Sequence, residues 1–301
     1  MILSLAGWLL YLSRHAGLSL PVIAGYIIGA VLVAGASWLD DVHSLPVRAR
    51  FIVHGAAALI ALIALGYWQK VTLPLAGSFD LGWLGFLVTL LWIVGLTNAY
   101  NFMDGIDGIA GSQAVLAGLG WAAAGAILKQ PAISVLGVLL AATSVGFLGH
   151  NWPPAHIFMG DVGSAFLGYT FALLPLLSAK YDARLPWIGI MFVWPFVFDA
   201  TFTFVRRLIK GEHVFAAHRS HLYQRLVITG RSHCFVTLLY GCLALIGIVL
   251  ALAWFLEIAG WPALPAVVLL CAGLWAFVVY EEHRQPSGQA ASPARSETLQ
   301  S

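Results

Sequence analysis

The chain has few charged residues and few cysteines for its length. Only 9% of its 301 residues are Asp, Glu, Lys or Arg, whereas 60% are hydrophobic, and the mean hydropathy is +0.89. This composition argues against a soluble globular domain and is typical of multi-spanning α-helical membrane proteins. Cys234, Cys242 and Cys271 lie in or beside apolar runs without paired spacing, which argues against a disulfide framework and a zinc site. The formal net charge of +2 is too small to indicate a nucleic-acid partner.

Long apolar runs are abundant instead. A helix needs about 20 apolar residues to span a bilayer, and nine runs approach that length: 19–39, 51–69, 83–100, 111–128, 132–149, 164–180, 187–205, 234–256 and 263–280. We interpret a shorter run, 1–13, as a spanning helix whose beginning is absent from this chain. The sequence therefore predicts an all-α, polytopic membrane protein with about ten transmembrane helices. It forms one domain, 1–280, followed by a disordered polar tail, 281–301.

Basic residues are distributed unevenly between the loops. If each run crosses once, segments 40–50, 101–110, 150–163 and 206–233 share one side and hold eight Lys or Arg residues, against four on the other side. Basic loops tend to stay in the cytoplasm, so we expect the first side to be cytoplasmic. On the opposite side, KVTLPLAGSFDLG is predicted to form a small hairpin.

Acidic residues lie where apolar runs end, on the predicted cytoplasmic side. Because an ionisable group inside a membrane segment costs at least ~2.5–3.5 kcal/mol, carboxylates gathered at helix ends indicate a site for cations or phosphates. The first group is Asp40-Asp41, which follows ASWL. A helix C-terminus is partly negative, so this pair needs a compensating cation or proton. The structural alternative is a solvated pair bonded to Arg48 or Arg50.

The segment NAYNFMDGIDGIAG carries four polar side chains at intervals of three residues: Asn98, Asn101, Asp104 and Asp107. This spacing predicts one helix face. Gly105 and Gly108 leave room for a ligand close to the backbone, and the Asn101 carboxamide adds a neutral oxygen suited to a hard cation. A calcium loop is the alternative, although its spacing and its closing Glu are missing.

A third group, HNWPPAHIFMGDVGSAFLG, places Asp161 between Gly160 and Gly163 at the start of an apolar run. A helix N-terminus offers unpaired N–H groups to phosphate, and Asp161 can hold a divalent ion that bridges phosphate oxygens. Phe158 could stack on a nucleobase. The alternative is an N-cap with a flexible turn.

The longest loop on this side, VRRLIKGEHVFAAHRSHLYQR, contains His213, His218, His221 and several basic residues. Such a cluster suits a diphosphate. A zinc site at His218 and His221 lacks further ligands nearby. A basic loop that binds anionic lipid is the structural alternative.

Together, DD, NxxNxxDGxDGxA, FMGDxGSxxLG and HRxH, in this order, resemble the polyprenyl-phosphate N-acetylhexosamine-1-phosphate transferases over about residues 15–280. HRSHLYQR resembles most the branch that starts O-antigen chains. The resemblance implies Mg²⁺-dependent transfer of a sugar 1-phosphate from a UDP-sugar to undecaprenyl phosphate with release of UMP, and Mn²⁺ is an alternative metal. It also implies a bacterial inner-membrane location and a homodimer. Family members begin with a further helix and a cytoplasmic loop, which we expect to be missing here.

The resemblance also implies roles for particular residues. Asp161 and Asn101 match Mg²⁺ ligands, and Asp40, supported by Asp41, matches the base or acceptor-phosphate partner. The pocket for the nucleoside and diphosphate is matched by Asp104, Asp107, Asn151 and Phe158, and we place Asn98 with the substrate-binding residues. The loop that contacts phosphate or sugar is matched by His218, Arg219 and His221.

Two other function classes stay open. In an ion-coupled transporter, acidic residues are expected near the middle of the membrane, and Asp199 after WPFVF is the best such candidate. A non-catalytic homologue of the transferases is the other alternative.

Overall fold

The computed structural model describes residues 19–214, 218–258 and 263–284, and this part of the chain is almost entirely helical. It contains eleven helices: α1 (Leu20–His43), α2 (Val47–Leu65), α3 (Leu84–Phe102), α4 (Ile109–Ile127), α5 (Pro131–Asn151), α6 (Gly160–Ser178), α7 (Leu185–Phe192), α8 (Trp194–Ile209), α9 (Leu222–Ile228), α10 (His233–Phe255) and α11 (Ala263–Arg284). Strands β1 (Lys70–Leu73) and β2 (Gly77–Asp80) pair antiparallel, so the predicted hairpin is confirmed.

The predicted class, an all-α polytopic membrane protein, is confirmed. Within the described residues, eight helices are long and apolar enough to span a membrane, or nine if α7 and α8 form one bent span. The predicted run 1–13 and the tail beyond Arg284 lie outside these residues. The last helix was predicted to end at 280, yet it continues to Arg284. Its final turn is held by salt bridges from Glu281 to Arg231 and from Glu282 to Arg225.

The run 187–205 is not one straight helix, which corrects the sequence prediction. α7 and α8 meet at Val193 with a bend of 81°. Pro195 has no backbone N–H and its ring disfavours a continuous helix, which favours a break here. The Gln113 side chain on α4 donates to the freed carbonyl oxygen of Phe192 at 2.8 Å. Because Gln113 is itself buried, this bond satisfies two polar groups inside the apolar core.

Helix α6 is the central helix, and it packs against α1 and α3. Of the most apolar stretch of α6, 72% is buried inside the protein, the largest share among the spanning helices described. Small residues set the close approaches, because lipid gives helices little hydrophobic reason to associate and tight packing must replace it. At Gly168 an added Cβ would lie 2.8 Å from the carbonyl oxygen of Leu96, and at Gly118 it would lie 2.7 Å from the nitrogen of Ala141.

The ends of these helices assemble one polar face. The C-terminal end of α1, the loop between α3 and α4, the N-terminal end of α6 and the segment between α8 and α10 all contribute to it. We call this face the site face. Contacts among these segments, given below, bring together most of the polar residues that the sequence singled out.

Candidate active site

Asp40 is the most firmly held acid of the site face. It lies in the last turn of α1, and its side chain is 9% exposed. One carboxylate oxygen accepts from the Leu45 nitrogen at 2.6 Å, and the other accepts from Nη1 of Arg50 at 2.8 Å. Both oxygens are therefore occupied, one by a donor from the loop after α1 and the other by a donor from the first turn of α2.

Asp161 lies next to both Arg50 and Asp41. The Asp161 nitrogen donates to Oδ1 of Asp41 at 3.4 Å, and Nη1 of Arg50 lies 3.8 Å from Oδ2 of Asp161. Gly160, at φ 65°, makes this approach possible, since an added Cβ would lie 3.3 Å from Oδ2 of Asp41. Asp41 is exposed, so its carboxylate is available to a ligand.

Asn101 lies beside Asp161, at the last turn of α3. Ser164 on α6 donates to the Asn101 side-chain oxygen at 2.5 Å, and the Asn101 side chain lies close to that of Asp161. Because Ser164 is fully buried, this bond fixes the two helix ends against each other. The two predicted metal ligands are therefore neighbours.

Asp104 and Asp107 do not continue the α3 face, which corrects the prediction of a single helix face. α3 ends at Phe102, and both acids lie in the loop 103–108, where Gly108 has φ 77°. Burial, with the negative charge of Asp161, raises the pKa of Asp104 to about 7. Asp104 thus faces the same carboxylate group from the loop.

Asp107 and Asn151 hold loops together. Oδ2 of Asp107 accepts from the Ala155 nitrogen at 3.1 Å and lies 3.4 Å from Nδ1 of His233. The Asn151 side chain accepts from the Gly108 nitrogen at 3.0 Å and donates to the Ile157 oxygen at 2.8 Å. Their contacts join the loop 103–108 to the segment that carries Phe158.

Asn98 and Phe158 differ in their exposure and in their contacts. It is buried, its Oδ1 lies 3.2 Å from Nδ1 of His54, and its amide donates to the Val94 oxygen. Phe158, in contrast, is 76% exposed on the site face. The geometry gives Asn98 protein partners and leaves the Phe158 ring free to stack on a ligand.

The segment 218–221 carries the two histidines of the HRxH motif. Their rings are 5.0 Å apart, and Nδ1 of His218 lies 2.9 Å from the Ser220 hydroxyl. His221 is buried against Asp199, with 3.2 Å between its Nδ1 and Oδ1 of Asp199. Arg219 is exposed.

Tyr223 joins this histidine segment to the acidic loop. Its hydroxyl donates to the Phe102 oxygen at 3.0 Å, and the ring of His221 lies 6.4 Å from that of Phe102. Gly105 lies directly under the Tyr223 hydroxyl, because an added Cβ would overlap with it. Gly105 is therefore small because a tyrosine packs on it, and the room that we predicted for a ligand is taken by protein.

The donor set around Asp161 consists of oxygen atoms, which suits a hard divalent cation. Among residues 19–214, 218–258 and 263–284, no three His, Cys, Asp or Glu side chains converge into a complete metal site. Mg²⁺ commonly binds through one or two carboxylates and completes its shell with waters and substrate phosphates. The residues present fit that incomplete kind of site.

The sequence did not identify Arg50, His233 and Tyr223 as residues of the site. Arg50 was considered only as a partner for a solvated acid pair, whereas it lies between Asp40 and Asp161. His233 contacts Asp107 from the start of α10, and Tyr223 contacts the acidic loop. Apart from the Arg50–Asp40 pair, each contact joins segments far apart in the chain, so spacing carries no signal for it.

Comparison with known proteins gives a family match. A family model described as glycosyl transferase family 4 matches residues 23–179. A probable undecaprenyl-phosphate N-acetylglucosaminyl 1-phosphate transferase of Bacillus subtilis (strain 168) is 32% identical over 252 residues, which are 82% of this chain and 66% of that protein.

Two other relatives carry related names. A decaprenyl-phosphate N-acetylglucosaminephosphotransferase of Mycobacterium leprae (strain TN) is 34% identical over 70% of this chain and 60% of that protein. A phospho-N-acetylmuramoyl-pentapeptide-transferase of Synechococcus sp. (strain JA-3-3Ab) is 38% identical over 52% of this chain and 48% of that protein. The matches thus span between about half and two thirds of the length of these relatives.

Proposed function

Because the chain belongs to glycosyl transferase family 4, we propose that it transfers an N-acetylhexosamine 1-phosphate from a UDP-sugar to undecaprenyl phosphate. An oxygen of the acceptor phosphate attacks the β-phosphorus of the donor. The bond between that phosphorus and the oxygen bridging to the α-phosphate breaks, and UMP leaves. The products are UMP and a lipid-linked sugar diphosphate.

The observation that supports this proposal best is that Arg50 lies between Asp40 and Asp161. Asp41 accepts from the Asp161 nitrogen, and Asn101 and Asp104 lie beside Asp161. Phosphoryl transfer depends mainly on positioning and charge neutralisation. Asp161 and Asn101 would hold a divalent cation, proposed to be Mg²⁺, which supplies charge neutralisation for the diphosphate when bound. A site at the ends of spanning helices suits a lipid acceptor whose phosphate stays at headgroup level.

The two adjacent acids differ in what they can do. Asp40 has both oxygens bonded and is nearly buried, whereas Asp41 is exposed and accepts one weak bond. We therefore propose that Asp41 accepts the proton of the acceptor phosphate and that Asp40 holds Arg50 in place. The resemblance alone had suggested the opposite emphasis.

The remaining assignments extend the proposal to the donor. Phe158 is free to stack on the uracil ring, and His218 and Arg219 would contact the diphosphate or sugar. Asp107 and Asn151 would shape the pocket through the loops that they join. Membership of the O-antigen branch, the homodimer, and a bacterial inner membrane with the site face in the cytoplasm belong to the same proposal.

An ion-coupled transporter has less support. The best relay candidate, Asp199, is fully buried and accepts hydrogen bonds from protein groups on both oxygens. An acid engaged in this way is suited to holding structure. Asp40, Asp41 and Asp161 lie at helix ends on the site face.

UMP release by the purified chain tests the proposal. The assay uses undecaprenyl phosphate and a panel of UDP-N-acetylhexosamines, each with Mg²⁺ and with EDTA. We expect release that requires the metal, the acceptor and one preferred donor. Release without the acceptor, or no release with any donor, would contradict the proposal. Asp161→Asn should remove activity, and Asp80→Asn on the exposed hairpin is the matched control.

A further inference from the structure

A buried carboxylate in the middle of an apolar sequence connects the histidine segment to the helices. Asp199 lies in α8 after WPFVF, and none of its surface is exposed. A buried charge is costly unless it is hydrogen-bonded on all sides. Asp199 meets this condition through Thr203, His221, Leu222, Tyr223 and Tyr240.

Two of these donors are backbone groups that set the path of the chain. The Leu222 nitrogen donates to Oδ1 of Asp199 at 2.8 Å, and the Tyr223 nitrogen donates to Oδ2 at 3.1 Å. Because the two N–H groups meet different oxygens, a carboxylate accepts both, whereas a carboxamide accepts only one. The start of α9 is thus fixed to α8 by an acceptor that only Asp supplies here.

The third contact fixes a side chain. Nδ1 of His221 lies 3.2 Å from Oδ1 of Asp199, while the His221 ring packs beside His218 and Tyr223. An ionised carboxylate can only accept, so Nδ1 must carry the proton in this bond. The second ring nitrogen, Nε2, is then left for another partner.

We propose that Asp199 is a positioning residue for the transfer reaction: it holds His221 as the Nδ1-protonated imidazole and fixes the segment 218–221 against the acidic loop 103–108. This inference rests on the proposed function. Asp199 itself touches neither substrate. It acts through His221 and through Tyr223, whose hydroxyl reaches the Phe102 oxygen.

The titratable and charged groups around this pair come from four segments. They are Arg206 on α8, His218 and His221 in the segment 218–221, Tyr223 on α9 and Tyr240 on α10. Of these, His221 is the one bonded to Asp199 whose ring can carry its proton on either of two nitrogens. A substitution of Asp199 should therefore first change which ring nitrogen of His221 carries the proton.

Nitrogen NMR of histidine-labelled full-length chain in lipid nanodiscs tests the contact without any assay of activity. The His221 signal is identified by its loss in His221→Gln. We expect the wild-type ring to carry its proton on Nδ1 and Asp199→Ala to lose that preference. A wild-type ring protonated on Nε2 would overturn the proposal.

Kinetics test the consequence for the reaction. Asp199→Asn keeps the size of the side chain but leaves one backbone donor facing an N–H₂ group. We expect kcat for UMP release to fall about 10–100-fold, as is typical when a partner that orients an active side chain is lost. The donor KM should change less than about threefold, because Asp199 is fully buried away from the donor.

Tyr240→Phe is the matched control, because the Tyr240 hydroxyl donates to Oδ2 of Asp199 at 2.6 Å but does not touch His221. It should lower thermal stability while kcat stays within about threefold and the His221 ring keeps its proton on Nδ1. Equal kcat losses in both variants, in proportion to stability, would overturn the positioning role. If the wild-type chain releases no UMP, the proposed function fails, whereas the NMR result still decides whether Asp199 holds His221.

Discussion

Replacing Gly105 with alanine should separate the two loops that form the site. The Cβ of an alanine would overlap with the Tyr223 hydroxyl and would lie 3.0 Å from its Cζ. Tyr223 is fully buried, so its ring has little room to move aside. The loop 103–108 must therefore shift, or Tyr223 must give up its hydrogen bond to the Phe102 oxygen.

The expected cost follows from three contributions. Overpacking a buried site costs about 1–3 kcal/mol, and loss of the Tyr223 hydrogen bond costs about 0.5–1.5 kcal/mol. Replacing glycine restricts the unfolded chain, which stabilises the folded protein by about 0.4–1 kcal/mol. We expect Gly105→Ala to destabilise the protein by roughly 1–3 kcal/mol. Because Asp104 is the adjacent residue, a shift of about 1 Å should also lower kcat by about 10²-fold.

Two further variants test whether the overlap with Tyr223 causes these losses. Gly146→Ala on α5 is the control, because no atom lies within 4 Å of its added Cβ, and we expect unchanged kcat. Tyr223→Phe removes the overlapping hydroxyl, so the double variant Gly105→Ala/Tyr223→Phe should lose less stability than the two single changes together. Thermal unfolding in detergent and UMP release measure both effects. Additive losses, or a Gly105→Ala variant that behaves like the control, would refute the close approach of the two loops.

Three other predictions concern single side chains of the site. In EDTA, stability should fall as pH rises from about 4 to about 7, because the pKa of Asp104 is raised to about 7 in the folded protein from its ordinary 3.8 and folding therefore favours its protonated form. Asp104→Asn should flatten this slope in thermal unfolding, and an unchanged slope would contradict the assignment. Phe158→Ala should raise the donor KM by about 5–150-fold if the ring stacks on uracil, as such stacking contributes about 1–3 kcal/mol. Phe79→Ala on the hairpin should leave KM unchanged. Asp41→Asn should lower kcat about 10²-fold with stability within about 0.5 kcal/mol, whereas Asp40→Asn should cost about 1.5–3 kcal/mol of stability, since Asp40 bonds a charged group; the reverse pattern would exchange their roles.

The membrane helices could be predicted because a spanning segment must be apolar over its whole length. The run 83–100 became Leu84–Phe102, and the run 111–128 became Ile109–Ile127. The same property hid the break at Val193, since both halves of the run 187–205 are apolar and hydropathy does not depend on direction. Only the Gln113 bond to Phe192 from another helix shows how the broken backbone is satisfied.

The candidate site could be predicted in part. Asp40, Asp41 and Asp161 were placed correctly at helix ends, because an apolar run that meets an acid must stop near it. The interval of three residues misled for Asp104 and Asp107, since α3 ends at Phe102 and both acids lie in the loop that follows it. Asp199 was considered a relay candidate because no local pattern indicates its bond to His221. That bond depends on how α8, α9 and α10 pack.

Following the two phosphates of the donor tests the central proposal most directly. UDP-N-acetylglucosamine is labelled at either the α- or the β-phosphate and incubated with the purified chain, Mg²⁺ and undecaprenyl phosphate, and the lipid and aqueous products are then separated. Transfer of a sugar 1-phosphate predicts that the β-label enters the lipid while the α-label leaves in UMP. Sugar in the lipid with both labels left in UDP, or no transfer to the lipid, would contradict the account.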